Sequence, residues 1–168
     1  SATALGNDVA ALGARSTAIG SLSQAYDDGS VAMGDRAVAN GLNSIVIGTN
    51  AQADRKSPDE TVDNAIVIGT DAEVSADNGI AVGNSALASE LNAVAQGFDA
   101  HSVAESAVAT GTRARASGVN ALATGTDSAA SGFNSIASGT DSRGLASNSV
   151  AIGTDAVSGF APLPGDEG

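Results

Sequence analysis

Among the side chains that could bind a metal ion or another ligand, threonine and aspartate have the most regular spacing in this sequence. They follow a repeated glycine, often as "GTD", and form two series: Thr49, Thr70, Thr112, Thr126, Thr140 and Thr154, and Asp71, Asp99, Asp127, Asp141 and Asp155. Aspartates stacked in glycine-rich turns can bind Ca²⁺, and threonines stacked on a flat face can bind ice. The glycine-rich nonapeptide signature of calcium-binding rolls is absent, and the threonines stand beside charged residues. We therefore interpret both series as turn residues that hydrogen-bond their own backbone.

Residues suited to catalysis or metal binding are scarce. The sequence contains a single histidine and no cysteine, which leaves no nucleophile–base pair and no set of zinc ligands. One Tyr and three Phe are scattered along the chain and do not make a sugar-stacking groove. The net charge of −12 argues against nucleic acid as a partner, because phosphate binding needs a basic surface. We predict a protein that is not an enzyme and that binds no metal and no cofactor.

A few basic residues stand out against this acidic background as possible contacts for an acidic host partner. They are Arg113, Arg115, Arg143, His101, Arg55 and Lys56. The first three are predicted to form an outward-facing basic patch with the histidine nearby. The last two belong to "RKSPDET", residues 55–61, whose charges and proline predict a projecting loop. The alternative is that these charges are only solvated and balance the acidic turns.

The elements that carry these residues are copies of one short unit. A glycine ends each apolar stretch, and nine of the ten intervals between these glycines are 14 residues: Gly6, Gly20, Gly34, Gly48, Gly69, Gly83, Gly97, Gly111, Gly125, Gly139 and Gly153. The exception, Gly48 to Gly69, is 21 residues, which places a seven-residue insertion near 55–61. A fixed period of this kind predicts a solenoid in which each unit stacks on the next.

Within each unit the residues alternate in size, which predicts β-strands. The positions four and two before the glycine are small, apart from Val46 and Val67, while the positions three and one before it are mostly aliphatic. A period of two is that of a strand, and recurrent glycine disfavours a helix. A second, Ala–x–Ala alternation follows the turn. We predict an all-β parallel solenoid of about eleven 14-residue coils, each running strand, turn, strand, turn.

Asparagine recurs just before the small residue that opens the first strand of a coil. The series is Asn43, Asn64, Asn78, Asn92, Asn120, Asn134 and Asn148. Asparagine tolerates a left-handed backbone and its amides can stack into ladders. We interpret this series as a structural corner.

The aliphatic residues of the first strand predict an interface between copies of the chain. If the small residues line a thin coil, the large ones are left on the outer face, as a stripe too large for a monomer to expose. The residues of this predicted interface are Val31, Met33, Ile45, Ile47, Ile66, Ile68, Ile80, Val82, Val94, Val108, Leu122, Ile136, Val150 and Ile152. The alternative is that the aliphatics fill the coil and the small residues face out.

Four successive coils break the aliphatic stripe at the position just before the glycine. We call these four residues the polar block: Gln96, Thr110, Thr124 and Ser138. Around a symmetry axis, buried hydroxyls and amides need partners. We predict that the block holds water or an anion on the axis, hydrogen-bonds across chains and sets their register. The alternative is drift to small polar residues in a tolerant core.

The repeated phrases resemble those of a known family. "NSVAIGTDA" (148–156), "GSVAMGDRA" (29–37) and "NSIVIGTNA" (43–51) resemble the 14-residue head repeat of trimeric autotransporter adhesins, the YadA-like head. The resemblance covers residues 2–159. It implies a left-handed parallel β-roll assembled as a homotrimer on the Gram-negative outer membrane, without catalytic activity, that binds host matrix or cell surfaces.

The resemblance also implies a domain division and a function. We expect residues 1–159 to be the head and residues 160–168 to be an irregular tail at the boundary to a neck or next domain. Membrane anchoring would come from a C-terminal region outside this sequence. The expected function is attachment to host extracellular matrix or to the host cell surface. The alternative is a structural spacer in the adhesin fibre that presents another ligand-binding domain.

Overall fold

The computed structural model of the chain describes residues 1–54 and 61–159. These residues form strands, turns and bends, and among them there is no helix and so none that could cross a membrane. Strands of three residues alternate with strands of two. The three-residue strands are β1 (Thr3–Leu5), β3 (Thr17–Ile19), β5 (Val31–Met33), β7 (Ile45–Ile47), β9 (Ile66–Ile68), β11 (Ile80–Val82), β13 (Val94–Gln96), β15 (Val108–Thr110), β17 (Leu122–Thr124), β19 (Ile136–Ser138) and β21 (Val150–Ile152). The two-residue strands are β2 (Ala10–Ala11), β4 (Gln24–Ala25), β6 (Val38–Ala39), β8 (Gln52–Ala53), β10 (Glu73–Val74), β12 (Leu87–Ala88), β14 (His101–Ser102), β16 (Arg115–Ala116), β18 (Ala129–Ala130), β20 (Arg143–Gly144) and β22 (Val157–Ser158).

The strands form two parallel sheets of 11 strands each, in chain order. We call them the long-strand sheet, made of the three-residue strands, and the short-strand sheet, made of the two-residue strands. One strand of each sheet makes one coil, and we number the coils 1 to 11 along the chain. Neighbouring coils pair residue for residue at the repeat spacing, as Val94 pairs with Val108 and Ala95 with Ala109. The predicted all-β solenoid of about eleven coils is confirmed.

Two corners per coil turn the chain from one sheet to the other, and each has a residue in the left-handed region. At the corner before the long strand this residue is usually asparagine, with φ of 57° at Asn64 and at Asn120. Asparagine side chains of successive coils bond to one another there, as Asn120 Nδ2 donates to Asn134 Oδ1 at 3.1 Å. The prediction of an asparagine corner with stacked amides is confirmed.

The repeated glycine ends each long strand at a point where neighbouring coils approach closely. Gly48 has φ of +145°, and a Cβ placed on it would lie 2.2 Å from the carbonyl oxygen of Gly69 in the next coil. No other residue fits such a contact, and this backbone region is essentially restricted to glycine. The glycine series therefore fixes the stacking of the coils.

The interior of the coil is thin and built from small residues. Ala32, Ala95 and most of their counterparts are fully buried, and the largest fully buried side chains are valines. Most buried serines bond to backbone, as Ser16 Oγ donates to the Gly13 carbonyl at 2.7 Å, whereas the hydroxyls of Ser135 and Ser149 have no partner among the described residues. The alternative in which the aliphatic residues fill the coil is wrong, because the small residues are buried inside it while the aliphatic ones are half-buried or exposed.

The insertion leaves the coils in register on both sides. Ile45 pairs with Ile66, 21 positions further on, where other coils pair at 14. The amide of Asp54 donates to Val74 O, and Ser44 Oγ donates to the carbonyl of the buried Val62 at 2.6 Å. Asp54 and Val62 thus occupy consecutive positions of one coil.

Candidate interface and ligand-binding surfaces

The outer face of the long-strand sheet carries the aliphatic residues singled out in the sequence. We call it the aliphatic face; it consists of the first and third residues of each long strand. All fourteen predicted interface residues lie on it and are half-buried or exposed, with Ile47 38% and Ile68 40% exposed. The middle residue of each strand points inward and is buried from coil 2 onward. The face is a continuous apolar stripe along the solenoid, of a kind that marks interaction sites.

The polar block interrupts only one of the two columns on this face. Its four residues pair in register as the third residues of β13, β15, β17 and β19. The first residues of the same strands stay aliphatic. Within residues 1–54 and 61–159, no side chain of the polar block has a hydrogen-bond partner. Their hydroxyls and amide are therefore free to bond to a molecule outside the chain.

The outer face of the short-strand sheet brings together part of the predicted basic patch. His101, Arg115, Ala129 and Arg143 follow one another in register on β14, β16, β18 and β20. Both arginines are exposed, and neither has an ion-pair partner in the described part of the chain. His101 is half-buried, and its Nε2 lies 3.2 Å from Asp99 Oδ1. We call His101, Arg115 and Arg143 the basic row.

Arg113 does not belong to this row, although it is exposed like Arg115 and Arg143. It is at the corner between β15 and β16 with φ of 55°. Its Nε and Nη2 donate to the two carboxylate oxygens of Asp127, each at 2.6 Å. The hydrogen bond and the charge of Asp127 raise the pKa of Arg113, and the hydrogen bond from Arg113 lowers the pKa of Asp127. The guanidinium is thus already occupied by an acid of the next coil. Arg55 and Lys56, the remaining candidates, lie outside the described residues.

Two members of the aspartate series have structural partners, although not in the way the sequence suggested. Asp71 and Asp127 have left-handed φ, as expected for turn residues. Their carboxylates accept from side chains of the preceding coil rather than from their own backbone: Asn50 Nδ2 donates to Asp71 at 2.8 Å, and Arg113 donates to Asp127. In residues 1–54 and 61–159 no group of three acidic, histidine or cysteine residues is arranged to hold a metal ion.

Exposed large apolar residues at the corners were missed by the sequence analysis. Phe98 is 54% exposed and Phe133 is 50% exposed, and Val119 and Leu91 are exposed at other corners. Phe133 comes directly before the left-handed Asn134. The position before the asparagine series, examined as a column of its own, would have revealed Leu91, Val119 and Phe133, whereas Phe98 precedes Asp99 at the other corner.

Two parallel sheets around an alanine and serine core, with an unpartnered apolar outer face, define a β-solenoid interaction protein. The YadA head domain repeat matches residues 1–23, 11–37, 39–56, 63–86, 88–114, 102–128, 116–142 and 130–156, and the chain belongs to this family.

The fold is also that of a solved adhesin domain. The chain is similar to the crystal structure of the collagen-binding domain of the Yersinia adhesin YadA, with a TM-score of 0.57 and 25% identity over 95% of this chain and 72% of that one. No curated protein matches the chain. Family and fold are those of an adhesin and not of an enzyme.

Proposed function

We propose that this chain is the head region of a bacterial surface adhesin that attaches the cell to host extracellular matrix or host cells. Membership of the YadA head family supports this proposal. In it, three parallel left-handed β-rolls pack together outside the bacterial outer membrane, and the head has no catalytic role. The observation that carries the proposal is the aliphatic face, which runs the length of a solenoid whose own core is made of small residues.

The aliphatic face is the proposed trimer interface. Within one chain the coils bury mostly Ala and Ser, whose burial releases little apolar surface from water. The largest apolar side chains, such as Ile47 and Ile68, remain partly in water. Packing of three such faces around an axis would remove about 25 cal/mol of unfavourable free energy per Å² covered. Cyclic symmetry lets every chain use the same face.

The short-strand sheet is the proposed ligand side. In a trimer built on the aliphatic face, this sheet and the corners stay in water. The exposed Arg115 and Arg143 of the basic row are then available to an acidic partner, and each is present three times. The solved relative is a collagen-binding domain, which supports a fibrous matrix protein as the class of partner. Repetition of weak contacts along such a fibre raises avidity without any single strong site.

Two measurements test the proposal. Light scattering should give three times the chain mass of 16.1 kDa, and a stable monomer would contradict the interface. Binding of the chain to immobilised collagen, fibronectin and laminin should be detected for at least one of them. Absence of binding to every host component, with an intact trimer, would favour a spacer that presents another binding domain.

A further inference from the structure

One column of the aliphatic face has a pattern that does not repeat. The third residue of the long strand is apolar in coils 1 to 6, polar in coils 7 to 10 and apolar again in coil 11. The first residue of the long strand is aliphatic from coil 3 to coil 11. The polar block is therefore the one change of chemistry on this face beyond the first coils of the described chain.

Such a change matters because the coils are otherwise interchangeable. Every described coil pairs with the next in the same register, and the coils are stacked about 4.8 Å apart. A uniformly aliphatic face would pack almost as well on a copy displaced by one coil, because the same side chains would meet again. A solenoid that associates through this face needs a feature that distinguishes one coil from another.

Among parallel alignments, the polar block matches itself in only one. In parallel copies without displacement, each of its residues meets its own counterpart, and every apolar residue meets an apolar one. Displacement by one coil would place Gln96 against Val82 and Ser138 against Ile152. Hydroxyl and amide groups can bond to their own copies or to bridging water, but not to aliphatic side chains.

The antiparallel alignment in which all eleven coils overlap is worse. With coil 6 at the centre, coils 7 to 10 would meet coils 5 to 2. The mismatched pairs would be Gln96 with Ile68, Thr110 with Ile47, Thr124 with Met33 and Ser138 with Ile19. All four polar side chains would then be buried against apolar ones, and none of them has a partner within its own described chain.

We infer that Gln96, Thr110, Thr124 and Ser138 set the register and the parallel orientation of the chains that pack on the aliphatic face. The inference rests on the proposed trimer. A single polar layer has this role in coiled coils, where it fixes register and oligomeric state among otherwise equivalent heptads. Here the polar block is four coils long. It acts by destabilising the wrong alignments, in which polar and apolar residues meet, rather than by strengthening the correct one.

Distances between copies test this inference. The chain has no cysteine, so Thr154→Cys, on an exposed turn of coil 11, can carry one spin label per chain. With the native polar block, pulsed dipolar spectroscopy should give one short distance between the spin labels of neighbouring chains. In the variant Gln96→Val, Thr110→Val, Thr124→Val and Ser138→Val, the trimer should persist while the distribution broadens. An antiparallel component would appear near ~48 Å, the length of ten coils at ~4.8 Å each.

A matched control makes the same chemical change beside the block. Thr112→Val, Thr126→Val and Thr140→Val lie in coils 8 to 10, on the turn rather than on the aliphatic face. This control should keep the native distance. Refolding of labelled native chains with unlabelled valine-variant chains gives a second measurement, because mismatched chains should sort into separate trimers.

The outcomes separate the inference from the proposal beneath it. A four-valine variant with the native single distance, which also mixes freely with native chains, would overturn the role in register and leave the trimer standing. A native chain that remains monomeric and gives no intermolecular distance would overturn both.

Discussion

Coils 2 to 6 and coils 7 to 10 share one backbone and differ in their surfaces. The pairing of Ile66 with Ile80 is the same as that of Val108 with Leu122. On the aliphatic face the third residue changes from aliphatic to polar, and on the short-strand sheet the outward residue changes to histidine or arginine in three of four coils. The comparison teaches that inward residues and corners determine the coil, while outward residues are free to take other roles.

The shared backbone predicts equal sensitivity at the repeated glycine. Gly48→Ala and Gly125→Ala should each destabilise the chain by about 2–6 kcal/mol, because a backbone region restricted to glycine costs about 1–3 kcal/mol and overpacking costs about as much again. The added Cβ would lie 2.2 Å and 2.6 Å, respectively, from a carbonyl oxygen of the next coil. Urea denaturation at fixed protein concentration measures both.

The last glycine of the series is the control. Gly153 has φ of +120°, but an added Cβ would meet nothing within 4 Å. Gly153→Ala should therefore cost only the backbone part, about 1–3 kcal/mol. A chain that tolerates Gly125→Ala as well as Gly153→Ala would show that the two regions do not share one stacking geometry.

The aliphatic face predicts the next largest effect. Ile47→Asp combined with Ile68→Asp should shift association at least about 100-fold toward monomer, because burial of an unpaired charge costs several kcal/mol and each 1.4 kcal/mol is about tenfold. The same change in the polar block, Thr110→Asp with Thr124→Asp, should shift it less, because that region can hold water. Sedimentation over a range of concentrations compares the two variants.

A turn variant controls for added charge. Thr49→Asp with Thr70→Asp introduces the same two carboxylates beside the first pair but off the aliphatic face. It should leave association close to native. Equal effects of all three double variants would mean that net charge, and not the face, governs assembly.

The basic row predicts a smaller effect on ligand binding. Arg115→Glu with Arg143→Glu should weaken binding to an immobilised matrix protein about tenfold. Binding of the native chain should also weaken as salt is added, because salt screens the charges of the arginines. Gln24→Glu with Gln52→Glu introduces the same two glutamates at the equivalent outward position of coils 2 and 4, where no cation is removed. This control should change ligand binding little, as measured by surface plasmon resonance on intact trimers. If the N-terminal coils bind the ligand instead, the glutamine variant should lose binding and the arginine variant should keep it.

The pair Arg113–Asp127 predicts the smallest effect, and one that depends on pH. Because the pKa of Asp127 is lower in the folded chain than its ordinary value of 3.8, the pair stabilises the fold above that value. This stabilisation is lost as the pH falls through the folded pKa. The melting temperature of the native chain should exceed that of Asp127→Asn slightly at pH 7, and the difference should vanish in acid.

A second substitution in the same series is the reference. Asp155→Asn removes a carboxylate from the equivalent position of coil 11, to which no arginine of the described residues is bonded. The melting temperatures of Asp127→Asn and Asp155→Asn should differ at pH 7 and should be equal in acid. A difference that persists in acid would mean that Asp127 acts through something other than this ion pair.

Much of the fold could be predicted because the same pattern of residues recurs in every coil. Small residues at the inward positions and asparagine at one corner recur often enough to fix sheets, coils and the outward direction of residues such as Ile47. The basic patch could be predicted only in part. Arg113 and Arg115 are two residues apart, yet Arg113 lies at a corner and bonds to Asp127, while Arg115 lies on a strand. Linear spacing does not distinguish a corner residue with left-handed φ from its strand neighbour.

By itself, the sequence determined the period, the β class, the small-residue core and the apolar stripe, since each depends on residue size and on local backbone preference. Only the tertiary structure decided which side chains of neighbouring coils meet, such as Asn50 with Asp71 and Arg113 with Asp127. It also decided that residues such as Phe133 stand exposed at the corners. The physical reason is that these contacts join residues a full coil apart, and their geometry depends on how closely glycine allows the coils to stack.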